Sequence, residues 1–179
     1  MSIFTNHITA AAEEADAYIE AVLELLGERD ALAVLRELPD ALDERVAGLS
    51  AAAVSAPEAP GKWSINEVIQ HFADSELVWA YRLRQVVADS GATITGYDQD
   101  RWAERLRYSE ADPADALALI RVLRAANLRL LESLNADELQ RVGVHSERGE
   151  ESIAHMVRLY AGHDLVHLLQ IDRIRSRIE

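Results

Sequence analysis

Residues 153–177 read IAHMVRLYAGHDLVHLLQIDRIRSR, and this stretch decides the fold. Met156, Tyr160, His163, His167, Ile171, Ile174 and Ile178 follow one another at steps of three and four, the spacing of one stripe on an α-helix. The two histidines occupy core positions of that stripe. Side chains four apart on a helix stand one above the other and lean the same way, so His163 and His167 can present two imidazoles to a single ion. Ser152 is placed to cap the helix, which is expected to run from Ile153 to about Arg177.

Working outward, the clearest helix start is Ser64-Ile65-Asn66-Glu67, a capping box whose serine and glutamate satisfy each other's orphaned backbone N–H groups. Its helix should reach about Asp89. Asp112-Pro113 opens another, to about Leu134, because Asp suits the cap and Pro the first helical position. Towards the start of the chain, one helix is expected over Thr9 to Leu26, stopped by Gly27, and one from Asp30 to about Ala47. Within the latter, Pro39 must kink the helix or restart it. SAAAVSAPEAPG (50–61) reads as a connector, a short piece around Asp98 to Leu106 carries Trp102, and VGVHSERGE (142–150) reads as a loop. No strand-like alternation stands out. Four long amphipathic helices with short connections imply an all-α, up-and-down four-helix bundle, in which sites are built from side chains projecting inward.

The bulk properties limit the function. The chain has 179 residues, enough for one domain, and a net charge of −13, which argues against nucleic acid and anionic membrane surfaces as partners. The absence of cysteine excludes disulfides, thiolate metal sites and cysteine nucleophiles, so a metal would be held by nitrogen and oxygen. No apolar run is long enough to cross a bilayer and the start lacks a secretory pattern, so the cytoplasm is the expected location.

A histidine pair needs a third ligand from another element. His71, in the stripe Val68, His71, Ser75 and Val78, is the best placed. Three imidazoles with one open position is an arrangement typical of catalytic zinc. Spacing alone leaves the alternative open that all three are core histidines satisfied by hydrogen bonds. Asp74, one turn after His71, is a candidate for that ring's second N–H, with solvated surface as the competing reading. Tyr160, one turn before His163, is a candidate hydrogen-bond donor at the ion, or simply core. His7 and His155 read as surface or end-of-bundle residues, His145 as a loop residue able to fold over a site, and Asp164 as turned away from His163.

The strings GKWSINEVIQHFADSELVWAYRLR (61–84), GYDQDRW (96–102) and GHDLVHLLQI (162–171), in this order, resemble the DinB/YfiT-like superfamily of helical bundle proteins. The resemblance covers residues 30–177 as the core bundle of a single domain spanning 1–179, with 1–29 as an N-terminal helical extension found in some members. It implies a divalent metal, nickel or zinc first and iron or manganese next, bound by His71 from the WS..E(V/L)..H segment and by His163 and His167 from the terminal H...H pair. It further implies a metal-dependent thiol S-transferase or hydrolase, a low-molecular-weight thiol and a small electrophilic substrate as partners, and a homodimer. The alternative is a non-catalytic metal-binding stress-response or interaction bundle. Whether GYDQDRW shapes a pocket is left open by the sequence.

Overall fold

The computed structural model describes residues 12–178, and the side chains of 17–177. His7 and the expected start of the first helix at Thr9 lie outside the described residues. The helices are α1 (Ala12–Leu26), α2 (Ala31–Val46), α3 (Ala51–Ser55), α4 (Ile65–Ala88), α5 (Gln99–Arg105), α6 (Pro113–Ser133) and α7 (Ile153–Ile178). Their ends follow the expected caps. The Ser64 Oγ accepts from the Glu67 N–H while the Glu67 carboxylate accepts from the Ser64 N–H at 2.8 Å. Asp112 accepts from Ala114 N–H, and Ser152 from His155 N–H.

α2 runs through Pro39 as one helix rather than restarting there. Proline cannot donate to the carbonyl four residues back, which is that of Leu35. The Arg124 guanidinium donates to this carbonyl instead, at 2.9 Å.

The four-helix bundle with an added helix is as expected. α2 packs on α6 and α7, and α4 also packs on α6 and α7, so α2 faces α4 across the bundle and α6 faces α7. Asn66 near the start of α4 donates to the carbonyls of Tyr108 and Ala111 just before α6, and Arg84 near the end of α4 reaches Asn127. These two helices are therefore parallel. Arg45 of α2 pairs with Asp172 of α7 near the end of each, so these two also run together, opposite to α4 and α6. The course is up, down, down, up, which refines the plain up-and-down reading. Residues 89–112 are long enough to carry the chain back along the bundle between the parallel helices. α1 lies outside the bundle against α7, where Gly162 allows the close approach: a methyl group there would run into the Val22 carbonyl.

One sequence expectation is corrected. A three-stranded sheet of β1 (Ala92–Ile94), β2 (Val142–His145) and β3 (Gly149–Ser152) covers one end of the bundle, with β1 parallel to β2 and β2 antiparallel to β3. The strands are three or four residues long, too short for period-two alternation to emerge.

The apolar core falls into two parts. One gathers Leu26, Leu35, Trp79, Leu83, Leu131 and Ile153, the other Leu42, Ile69, Phe72, Ile120, Ile171 and Ile174. Between them lies a polar layer of Glu76, Arg124, Asn127 and Asp164. Among the described residues no helix is long and apolar enough to cross a membrane.

Candidate metal centre

α4 and α7 are antiparallel neighbours, and their buried stripes bring His71 onto His163 and His167. The Nε2 atoms of His71 and His163 are 3.2 Å apart, and one nitrogen from each of the three rings lies within 4.8 Å of the other two. Two nitrogens each about 2.1 Å from a shared tetrahedral ion stand about 3.4 Å apart, so the observed spacing fits a common cation.

Protonation favours the same fit. Burial holds His71 well below 6.5, with the neighbouring His167 and His163 adding to the effect. Burial also pushes His167 down to about 3, aided by His163 and opposed by its hydrogen bond to Gln170. Both rings are neutral at pH 7 and keep a lone pair. In His167 the Nδ1–H donates to Gln170 Oε1 at 2.7 Å, which leaves Nε2 as the free nitrogen. The Nδ1 atoms of His71 and His163 are buried without a hydrogen-bond partner among the described residues. Packing fixes the rings instead. Tyr160 is stacked between Trp79, at 4.4 Å and 3°, and His163, at 5.6 Å and 7°, while Phe72 flanks both α7 histidines.

Two expected helpers stand elsewhere. Asp74 does not reach His71; its carboxylate accepts from the Tyr108 hydroxyl at 2.5 Å, because that side of α4 faces the turn before α6. The Tyr160 hydroxyl donates to Glu76 Oε2 at 3.1 Å rather than pointing at the ion position, so Tyr160 supports His163 through its ring alone. Asp164 is turned from the His163 ring, its Oδ1 3.9 Å from Nδ1, but it is buried rather than at the surface. His155 is half-buried at the start of α7 and outside the cluster.

Other residues join the site. Ser75 Oγ is 3.3 Å from His71 Nε2 and 2.9 Å from the Tyr97 hydroxyl, so the GYDQDRW segment does shape the site, with Tyr97 packed on Trp102 at 4.5 Å. Burial raises the Tyr97 pKa, with the Ser75 hydrogen bond opposing, which keeps its hydroxyl protonated. His145 is buried in β2, held down to about 4 by burial and by Arg148, and accepts the Glu147 N–H. The cluster separates two cavities. One of about 140 Å³ meets His71 and His163 and is bounded by Tyr97, Arg82 and His145. The other, about 600 Å³, meets His167 beside Trp63, Gln170 and Arg173.

Behind the histidines, Arg124 is bound by Glu76 at 2.7 Å and by Asp164 at 2.6 Å, all three with side chains at most 1 % exposed. Asn127 donates to the second Glu76 oxygen at 2.8 Å. The sequence reading passed over this layer. Its signal was there: Ile120, Arg124, Asn127 and Leu131 form a helical stripe with Arg124 and Asn127 between apolar residues, and Phe72, Glu76, Trp79 and Leu83 form another with Glu76 among apolar residues.

Comparison with known proteins agrees with this architecture. The sequence profile of the DinB superfamily matches residues 34–171. A protein of Bacillus cereus (strain 03BB102) named "Putative metal-dependent hydrolase" is 28% identical over 144 residues, which cover 80% of this chain and 83% of that protein. A relative from Bacillus thuringiensis subsp. konkukian (strain 97-27), also named as a metal-dependent hydrolase of that kind, matches to the same extent. Among solved structures, YfiT from Bacillus subtilis, described as a probable metal-dependent hydrolase with an unusual four-helix bundle topology, matches with a TM-score of 0.76 at 24% identity. The match covers 94% of this chain and 89% of that one, and at this identity it shows the shared fold.

Proposed function

The chain belongs to the DinB superfamily, and we propose that it is a divalent-metal-dependent enzyme of the hydrolase type, with His71, His163 and His167 as the ligands. The convergence of three imidazoles, with Nε2 of His71 and His163 3.2 Å apart, carries this reading. Nickel and zinc suit an all-nitrogen set best, with iron and manganese next. A divalent ion there supplies a Lewis acid that brings the pKa of a bound water or thiol towards neutrality. The protein's own residues do the rest. Gln170 fixes the His167 tautomer, the Trp79–Tyr160 stack holds the His163 ring, and the Ser75–Tyr97 pair places a hydroxyl proton beside the ligand cluster.

A second reading, transfer of a low-molecular-weight thiol to a small electrophile, is favoured by the cavities on both faces of the cluster, which offer room for two reactants. Both readings begin with metal binding. Untagged protein is expected to retain close to one equivalent of metal, and His167→Ala to weaken zinc or nickel affinity in calorimetry by at least about 100-fold, more than loss of an outer partner does. Absence of metal affinity in the wild type, or equal affinity in the variant, refutes the proposal. Cobalt spectra separate a reactive ion from a structural staple: added azide or thiol shifts the bands of an open site and leaves a closed one unchanged.

A further inference from the structure

We infer that the cavity on the His71 side is a pocket for a small monocarboxylate, its acid group held by Arg82 and its other end directed at the histidine cluster. The orientation rests on the cluster being the reaction centre; the charge recognition does not.

One wall of this cavity is a single face of α4, carrying His71, Ser75, Trp79 and Arg82 in order. Arg82, three turns beyond His71, is half-buried. It donates to the Thr95 carbonyl, and its guanidinium lies 5.9 Å from the centre of the Tyr97 ring. Among the described residues it has no carboxylate partner. Of the nearby acids, Glu151 is taken by Arg148 through two hydrogen bonds at 2.5 and 2.9 Å, and Glu147 is exposed to water, where its charge is screened. His145, in the same lining, is neutral. Arg82 is thus a half-buried cation facing the cavity with no carboxylate in hydrogen-bond contact among the described residues, an arrangement that a bound anion would relieve. Its pKa is lowered by burial first and by the Arg148 charge second, with Tyr97, Glu151 and Glu147 opposing.

The Trp79 side chain, 4 % exposed, forms part of the same wall. Between the two ends the walls are apolar, with Val78, Ile94, Met156 and Leu159. The guanidinium fork matches a carboxylate, the apolar middle matches a short hydrocarbon body, and about 140 Å³ keeps the ligand small. With Glu151 already balanced by Arg148, the single guanidinium of Arg82 matches one negative charge, which favours a carboxylate over a phosphate monoester dianion.

Calorimetry with butyrate, hexanoate and 4-phenylbutyrate, each against its primary amide, tests this on the full chain both zinc-loaded and chelator-treated. At least one acid is expected to bind about tenfold more tightly than its amide, the size of a charge-assisted hydrogen bond, in both preparations. Arg82→Gln is expected to abolish the preference with amide affinity unchanged, and Arg82→Lys to retain part of it; melting temperatures of both report their folding. No acid exceeding its amide overturns the inference, and so does an undiminished preference in folded Arg82→Gln. A preference seen only with zinc places the carboxylate on the metal and overturns it too. Failure to load zinc, with the preference intact in metal-free protein, refutes the metal reading alone.

Discussion

Replacing Arg124 with methionine tests the polar layer most directly. The guanidinium holds Glu76 and Asp164, both fully buried, and donates to the Leu35 carbonyl that Pro39 leaves without a donor. Methionine fills much of the same volume but leaves two carboxylates and a carbonyl unmatched. Breaking a buried ion pair from one side costs about 3–5 kcal/mol, and the orphaned carbonyl about 1–3 kcal/mol more. Proton uptake by the carboxylates limits the sum, so about 4 kcal/mol is expected, or about 8–16 °C in melting temperature for a domain of this size. Burial already raises the Glu76 pKa, with Arg124 opposing; without Arg124 it rises further. A carboxyl whose folded pKa is raised gains stability as pH falls through that value towards its unfolded one, so the deficit should narrow between pH 7.5 and 5.5. Urea unfolding followed by circular dichroism reads both effects. The triple variant Arg124→Met, Glu76→Met, Asp164→Leu should recover most of the loss, because no charge is then stranded. A cost below about 1 kcal/mol for Arg124→Met, or a triple variant no better than the single, would refute the argument.

The histidines make stability depend on pH in the opposite sense. His167 has its folded pKa pushed down to about 3 and His71 is also held well below 6.5, so the unfolded chain takes up protons first. In metal-free protein their contribution is complete above pH 6.5 and is lost as pH falls towards the folded values, at up to about 1.4 kcal/mol per pH unit for each ring. Urea midpoints at pH 7.5, 6.5 and 5.5 should fall accordingly, and less steeply in His71→Leu/His167→Leu; identical slopes in the two proteins would count against neutral buried rings. Gly162→Ala gains about 1 kcal/mol in helix propensity but overlaps the Val22 carbonyl. Overpacking costs about 1–3 kcal/mol, so net destabilisation is expected, with faster hydrogen exchange in α1 than in α2; a stabilised variant would show that α1 yields without cost.

Much of this was legible because helices advertise themselves locally. The capping box at Ser64, the Asp112-Pro113 start and the stripe through His163 and His167 are short-range patterns, and each appears where expected. The pairing of His71 with His163 was inferable because both lie on buried stripes. Hydrogen bonds across long separations were not. Asp74 could turn to His71 or to Tyr108, and nothing in its neighbours chooses between them; the fold does, by seating Tyr108 against α4. Ser75 and Tyr97 meet only because residues 89–112 double back, and β1 finds β2 fifty-one residues downstream. Pro39 looked like a break because its remedy, Arg124, is far along the chain.

The course of the chain around the bundle also bears on how the protein comes to fold. α2 and α4 stand on opposite corners, α4 and α6 run side by side in the same direction, and α6 and α7 are again diagonal. No two successive bundle helices make an antiparallel hairpin, the local nucleus from which most helical proteins of this size would zip. Contacts must instead be won across long closed loops, which slows assembly relative to an all-helical chain with near-neighbour pairing. The contact between His71 and His163, ninety-two residues apart, depends on one of those long closures.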